Sequence, residues 1–136
     1  MSPRNSKVTE THSDRCQASR EILDRVGDKW SIFIVVTLKD GPMRFNEIKR
    51  TIGIVSQRML TLTLRGLERD GLVTRTLTPS IPPRVDYELT KLGYTLVSAI
   101  EPLVAWADRT RDAIEAARTQ FDRGLNHQNQ KSVPKR

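Results

Sequence analysis

At Gly71 the apolar period of this chain changes from about 3.6 residues to two, and no other feature constrains the fold as much. Before that point Leu60, Leu64 and Leu67 recur at helical spacing, with Ser56 placed to open the helix and Gly71 to stop it after Asp70. Beyond it Leu72, Thr74 and Thr76 alternate with Val73, Arg75 and Leu77, and then Val85, Tyr87 and Leu89 alternate with Asp86 and Glu88. Between the alternating runs stands Thr78-Pro79-Ser80-Ile81-Pro82-Pro83-Arg84. Its prolines fix φ and remove backbone donors, so this loop should project as a stiff hairpin tip and not collapse into a two-residue turn.

The rest of the chain fits around that junction. Ile22, Leu23 and Val26 predict a first helix from Ser13 or Asp14 to Val26, with Asp14 and Gln17 as a capping pair and Gly27 as its stop. Asp28 is placed to cap a second helix, Lys29 to Lys39, on the stripe Trp30, Ile34, Val35 and Leu38; its β-branched content also suits a strand, but its length and the Gly41-Pro42 stop favour a helix. Phe45, Ile48 and Ile52 mark a third helix of about two turns, ended by Gly53. Thr90 should cap a last helix in which Leu92, Leu96, Ile100, Leu103, Ala107, Thr110 and Ile114 follow steps of four and three, with Pro102 kinking or dividing it. The ends, residues 1–14 and 122–136, are polar without an apolar period, and are expected to be flexible tails.

Composition excludes several classes. A chain of 136 residues, 37% hydrophobic, has room for one domain. We expect a tail over 1–15, a folded domain over 16–114, and the end of the last helix with a basic tail over 115–136. No run of 18 apolar residues occurs and the first 14 residues lack an apolar leader core, which predicts a cytoplasmic protein without a membrane partner. The single cysteine, Cys16, excludes an internal disulfide, and with His12 and His127 in the polar ends it offers no convincing metal site. His12 and Cys16 are four apart, but no third orienting group and no phosphate-cradling glycine loop accompany them, so neither catalysis nor a cofactor is expected.

The net charge of +7 is unevenly placed. Residues 44–84 carry a net +5 and residues 122–136 a net +3, while residues 85–121 are at −2. The basic excess therefore falls mainly on the third helix, the fourth helix and the hairpin, with a smaller share in the C-terminal tail.

Three helices, a turn, a helix, a hairpin and a last helix make a mainly α fold with a small two- or three-stranded antiparallel sheet: a winged helix-turn-helix with a long C-terminal dimerisation helix. In such a fold one stripe of the fourth helix holds it on the protein while the other enters the DNA major groove. The outward stripe reads Gln57, Arg58, Thr61, Leu62 and Arg65, beginning at Ser56. Gln57 suits adenine, Arg58 suits guanine through its planar fork, and Thr61 or Leu62 suits a thymine methyl. Arg44, Lys49, Arg50 and Arg84 are placed to neutralise phosphates. A solvated basic face would need only chance for each arginine, but their coincidence with the turn and the wing favours double-stranded DNA as the partner.

The stretches Gly27-Asp28-Lys29-Trp30, Arg44-Phe45-Asn46-Glu47-Ile48, Ser56-Gln57-Arg58-Met59-Leu60-Thr61 and Asp70-Gly71-Leu72-Val73, followed by Pro83-Arg84-Val85-Asp86-Tyr87-Glu88-Leu89-Thr90 and Gly93, stand in one order and spacing. From Cys16 to about Ile114 the chain resembles the HxlR-type transcriptional regulators, winged proteins similar to the MarR group. The resemblance implies a cytoplasmic homodimer on operator DNA, serving genes of stress or metabolite response. Leu62 and Gly66 depart from the family pattern, which generally has polar helix formers there; a glycine within a helix costs about 1 kcal/mol relative to alanine.

The apolar face of the last helix, with Leu96, Ile100, Leu103, Trp106, Ala107 and Ile114 and extended by Val97 and Val104, is wider than one small domain readily covers. It is expected to pair two copies, which predicts a pseudo-palindromic operator; the expected role is that of a repressor, with the sign of regulation set by where the site lies relative to a promoter. Cys16, near the predicted start of the first helix with Arg15 and Arg20 close by, is the candidate sensor, its thiolate favoured by the helix dipole and positive charge. Family members often carry a cysteine here, and some sense quinones, aldehydes or oxidants with it. A buried, inert cysteine is the competing expectation. Two other readings stay open: a regulator released by a small molecule, such as an aromatic effector near Trp30 and Trp106, without thiol sensing, and a winged domain that docks an acidic protein.

Overall fold

The computed structural model describes residues 4–131, with side chains from Arg15 to Gln130. Helix α1 spans Arg4–Val26, α2 Lys29–Thr37 with a 3-10 turn at Leu38–Asp40, α3 Phe45–Ile52, α4 Gln57–Arg69 and α5 Lys91–Lys131. Strands β1 (Met43–Arg44), β2 (Val73–Thr78) and β3 (Arg84–Leu89) form one antiparallel sheet in the order β1-β3-β2. The hairpin register pairs Val73 with Leu89 and Thr78 with Arg84, leaving residues 79–83 as the tip. Strand β1 pairs Met43 with Tyr87 and Arg44 with Asp86. Two residues are too few to show alternation, so this third strand is invisible as a sequence period.

The chain divides between Ile100 and Glu101 into two compact units. In the first, the inner faces of α2, α3 and α4 meet in a core of Ile34, Val35, Leu38, Ile48, Leu60, Leu64 and Leu67, each no more than 1% exposed. Capping follows the sequence: Asp28 accepts from the Ser31 N–H at 3.3 Å to start α2, and Thr90 accepts from the Gly93 N–H at 3.0 Å to start α5. Thr90 also donates its hydroxyl to the Gly71 carbonyl at 2.6 Å, tying the start of α5 to the junction between α4 and β2. Gly71 sits at φ 77°, where a side chain would be strained. The second unit is the remainder of α5, and it leaves Leu103, Trp106, Phe121 and Leu125 exposed.

Several expectations are corrected. Helix α1 starts at Arg4 and runs through Ser13, Asp14 and Gln17, so that pair caps nothing. Helix α5 likewise continues through 122–131. Polar composition rules out burial of these segments, not helicity: between Arg4 and Val26 there is neither glycine nor proline to interrupt propagation. Residues 1–3 and the last basic residues, Lys135 and Arg136, lie outside the described residues. Pro102 does not divide α5 into two helices, although the boundary between the units falls just before it. Val97 and Ile100 are 8% and 4% exposed and belong to the core of the first unit, so Ile100 is not an available interface residue.

Two glycines predict opposite outcomes for one substitution. A Cβ at Gly93 would fall on the Leu72 carbonyl oxygen and lie 3.1 Å from Leu89 Cδ2, whereas one at Gly124 meets nothing within 4 Å. Gly93→Ala should destabilise by about 2 kcal/mol, and Gly124→Ala should be neutral or stabilise by up to about 1 kcal/mol, both read from urea unfolding midpoints.

Candidate nucleic-acid interface

The candidate interface starts from the turn Gly53–Ser56. Gly53 ends α3 at φ 88°, and Val55 turns inward at 4% exposure, which brings Ser56 to the head of α4. The Ser56 hydroxyl accepts from the Met59 N–H at 3.1 Å, so the first turn of α4 is held by its own cap. The buried stripe Leu60, Thr63, Leu64 and Leu67 then fixes which side of α4 faces out.

That outer side carries the expected residues. Gln57, Arg58 and Arg65 are exposed, Leu62 is half exposed, and Thr61 is partly covered. Arg58, Leu62 and Arg65 recur at four and three residues and form one row; Gln57 and Thr61 form a second beside it. The Thr61 hydroxyl donates to the Gln57 carbonyl at 2.8 Å, which spends its proton within the helix and leaves its methyl for contact. Arg58 and Arg65 make no ion pair among the described residues. An open groove between α3 and the hairpin is lined by Arg44, Lys49, Arg50 and Arg84 together with Asn46, Glu47, Ile81 and the tip prolines Pro82 and Pro83. The four phosphate candidates are therefore gathered around one concavity.

Arg84 differs from the other three. Its Nε donates to both carboxylate oxygens of Asp86, at 3.2 and 3.0 Å. The signal was legible, because residues two apart on a strand share a face. Ile81, at the tip, is fully exposed, and the Ser80 hydroxyl donates to the Pro82 carbonyl at 2.7 Å. Arg75, exposed on β2, is a further cation of the wing.

Cys16 is exposed, so it is not an inert core thiol. It lies about three turns inside α1, where every backbone N–H is already bonded, and the helix-dipole argument for its thiolate does not hold. The side chain of His12 lies outside those described. Trp30 packs against Phe33 with ring centroids 6.0 Å apart, beneath the Lys29 ammonium at 4.7 Å. Trp106 belongs to the second unit. Among the described residues no helix is long and apolar enough to cross a membrane.

The HxlR-like helix-turn-helix family matches residues 25–115. The chain belongs to this family. It is a family of DNA-binding transcriptional regulators, not of enzymes. YdeP, an uncharacterised HTH-type transcriptional regulator of Bacillus subtilis, is 42% identical over 104 residues, covering 74% of this chain and 81% of its own. The transcriptional regulator ytfH from Salmonella typhimurium superposes with a TM-score of 0.70 at 38% identity, over 74% of this chain and 90% of the other. The redox regulator HypR in its reduced form gives 0.68 at 39%, over 73% and 98%.

The Arg84–Asp86 pair makes a prediction about this HxlR-family chain. Asp86→Ala removes a carboxylate and frees one guanidinium. DNA binding should tighten without regard to sequence, and the slope of log affinity against log salt should steepen by about one. Fluorescence anisotropy with duplexes at several salt concentrations reads both.

Proposed function

We propose that this chain is a homodimeric repressor of a pseudo-palindromic operator, released when Cys16 is modified. The observation that carries the reading is the outer face of α4, where Gln57, Arg58, Thr61, Leu62 and Arg65 stand free of the core behind a capped first turn. Arg44, Lys49, Arg50 and Arg84 hold phosphates, and the residues nearest the start of α4 meet base edges. A domain this small reads a few base pairs, and two copies with half-sites about 34–36 Å apart supply the affinity.

Exposed apolar surface supports the dimer. Ile22 and Leu23 on α1 are 62% and 65% exposed, and Leu103 and Trp106 on α5 are about half exposed. Leu96 in the first unit, and Ala107 and Ile114 in the second, are assigned the same role. An exposed thiol supports the signal, and HypR, a redox regulator solved in oxidised and reduced forms, supports it by likeness. An electrophile would bond to the Cys16 sulfur with loss of the thiol proton. Oxidation without a second cysteine in the chain would join two copies or add a small thiol. A groove of about 940 Å³ between α1 and the first turns of α5, lined by Ile22, Leu72, Leu92 and Leu96, favours a second reading, release by a small molecule without thiol chemistry.

Selection of bound duplexes from a random pool should return one palindrome. Electrophile treatment should release the wild-type protein and leave Cys16→Ser bound; equal release of both would assign the signal elsewhere. In sedimentation at micromolar concentration the wild type should be a dimer and a Leu103→Glu, Trp106→Glu chain a monomer. A monomeric wild type would count against the paired operator.

A further inference from the structure

Gly66 lies within the DNA-reading helix, yet its backbone is not in the left-handed region, so conformation does not call for glycine there. Space does. A Cβ at Gly66 would fall on the guanidinium of Arg25, which reaches over from the last turn of α1. The same guanidinium donates through Nε to Asp70 Oδ2 at 2.9 Å. Asp70 is the C-cap of α4 and donates its own N–H to the Gly66 carbonyl at 3.0 Å. One arginine of α1 thus occupies a notch in α4 and also grips the residue that ends it. The side chains of Arg25 and Asp70 are about one-third exposed, so as an ion pair they add little stability. What the contact supplies is geometry: a planar guanidinium laid against bare backbone and held in place there by Asp70.

We propose that Arg25 is a positioning residue for DNA reading, fixing the tilt and rotation of α4 through the Gly66 notch and Asp70. The proposal rests on the reading of α4 as the helix that meets base edges. Arg58 lies eight residues from Gly66, about 12 Å along the helix axis. A turn of about 10° at the notch would therefore carry Arg58 by about 2 Å, enough to take a base hydrogen bond out of range. Contacts from Lys49 and Arg50 to phosphates tolerate such a shift, because long flexible stems and a sequence-independent target need no fixed angle. Loss of the notch therefore removes discrimination between sequences and spares general DNA binding. Cys16 stands nine residues before Arg25 on the same helix, so a displacement of α1 would reach α4 through this contact.

The test compares the wild type with two variants that keep the charge, Gly66→Ala and Arg25→Lys. Affinity is measured for a duplex selected from a random pool by the wild type and for its scrambled counterpart, at one salt concentration, beside a thermal melting midpoint. Both variants should lose about tenfold or more of the ratio between the duplexes, with scrambled-duplex affinity held within about twofold. Gly66→Ala should do so without a lower melting midpoint, because alanine is the better helix former. Variants that melt lower but keep the ratio within about twofold would make the contact merely structural and overturn the proposal, while the reading of α4 would stand. A wild type that fails to distinguish the duplexes would overturn both.

Discussion

The structure depends on one division of labour within α4. Leu60, Leu64 and Leu67 are essentially inaccessible, and together they hold the helix against the rest of the first unit. Full burial of a leucine side chain is worth roughly 1.5–3 kcal/mol, so three of them suffice to hold the helix on the domain with one side inward. Because the buried stripe uses steps of four and three, the opposite stripe is forced outward as a set. Arg58, Leu62 and Arg65 are exposed for that reason and not by separate choices, whereas Gln57, in line with Leu60 and Leu64, is exposed because it is the first residue of the helix. The residues available to read bases are decided by the residues that fill the core.

Electrostatics then divides the basic excess into groups with different behaviour. Arg44, Arg50, Arg58 and Arg65 make no ion pair among the described residues, while Arg84 is held by Asp86 and Arg25 by Asp70. A free cation contributes its whole charge to a phosphate; a paired one must first give up its carboxylate. Net charge on residues 44–84 therefore overstates the field that DNA would meet at the wing. The hairpin contributes shape as well, since the loop around Ile81 carries no charged side chain between Thr78 and Arg84.

The fold was legible where period and punctuation agreed. Gly27, Gly53 and Gly71 mark the ends they were expected to mark, and Asp28, Ser56 and Thr90 cap the helices they were expected to cap. The outer residues of α4 followed from its inner stripe. What escaped was whatever depends on neighbours distant in sequence. Strand β1 exists only because β3 offers it an edge. Ile100 fits the four-three pattern of the last helix as well as Leu103 does, but the body of the first unit covers one and leaves the other exposed. Gly66 reads as a local defect until Arg25, 41 positions earlier, is found against it. The start of α1 escapes for another reason: the polarity of residues 4–14 bears on burial and not on helicity.

The last stretch of α5 shows where that distinction has consequences. From Glu101 onward the helix belongs to a unit in which none of the described hydrophobic residues is buried, while Leu103, Trp106, Phe121 and Leu125 stand exposed. Propensity alone gives marginal order to an isolated helix in water, and most helical stability in proteins comes from packing an apolar face. A second copy would supply that packing, and the proposed dimer would then couple the order of this segment to association. Stability and DNA affinity would both rise with protomer concentration, since a partner that binds only the ordered form shifts the equilibrium by mass action. On this account the charge of α5 also has a physical role: over residues 91–121 four basic and four acidic side chains cancel, so this stretch does not compete with the basic helices and wing for DNA.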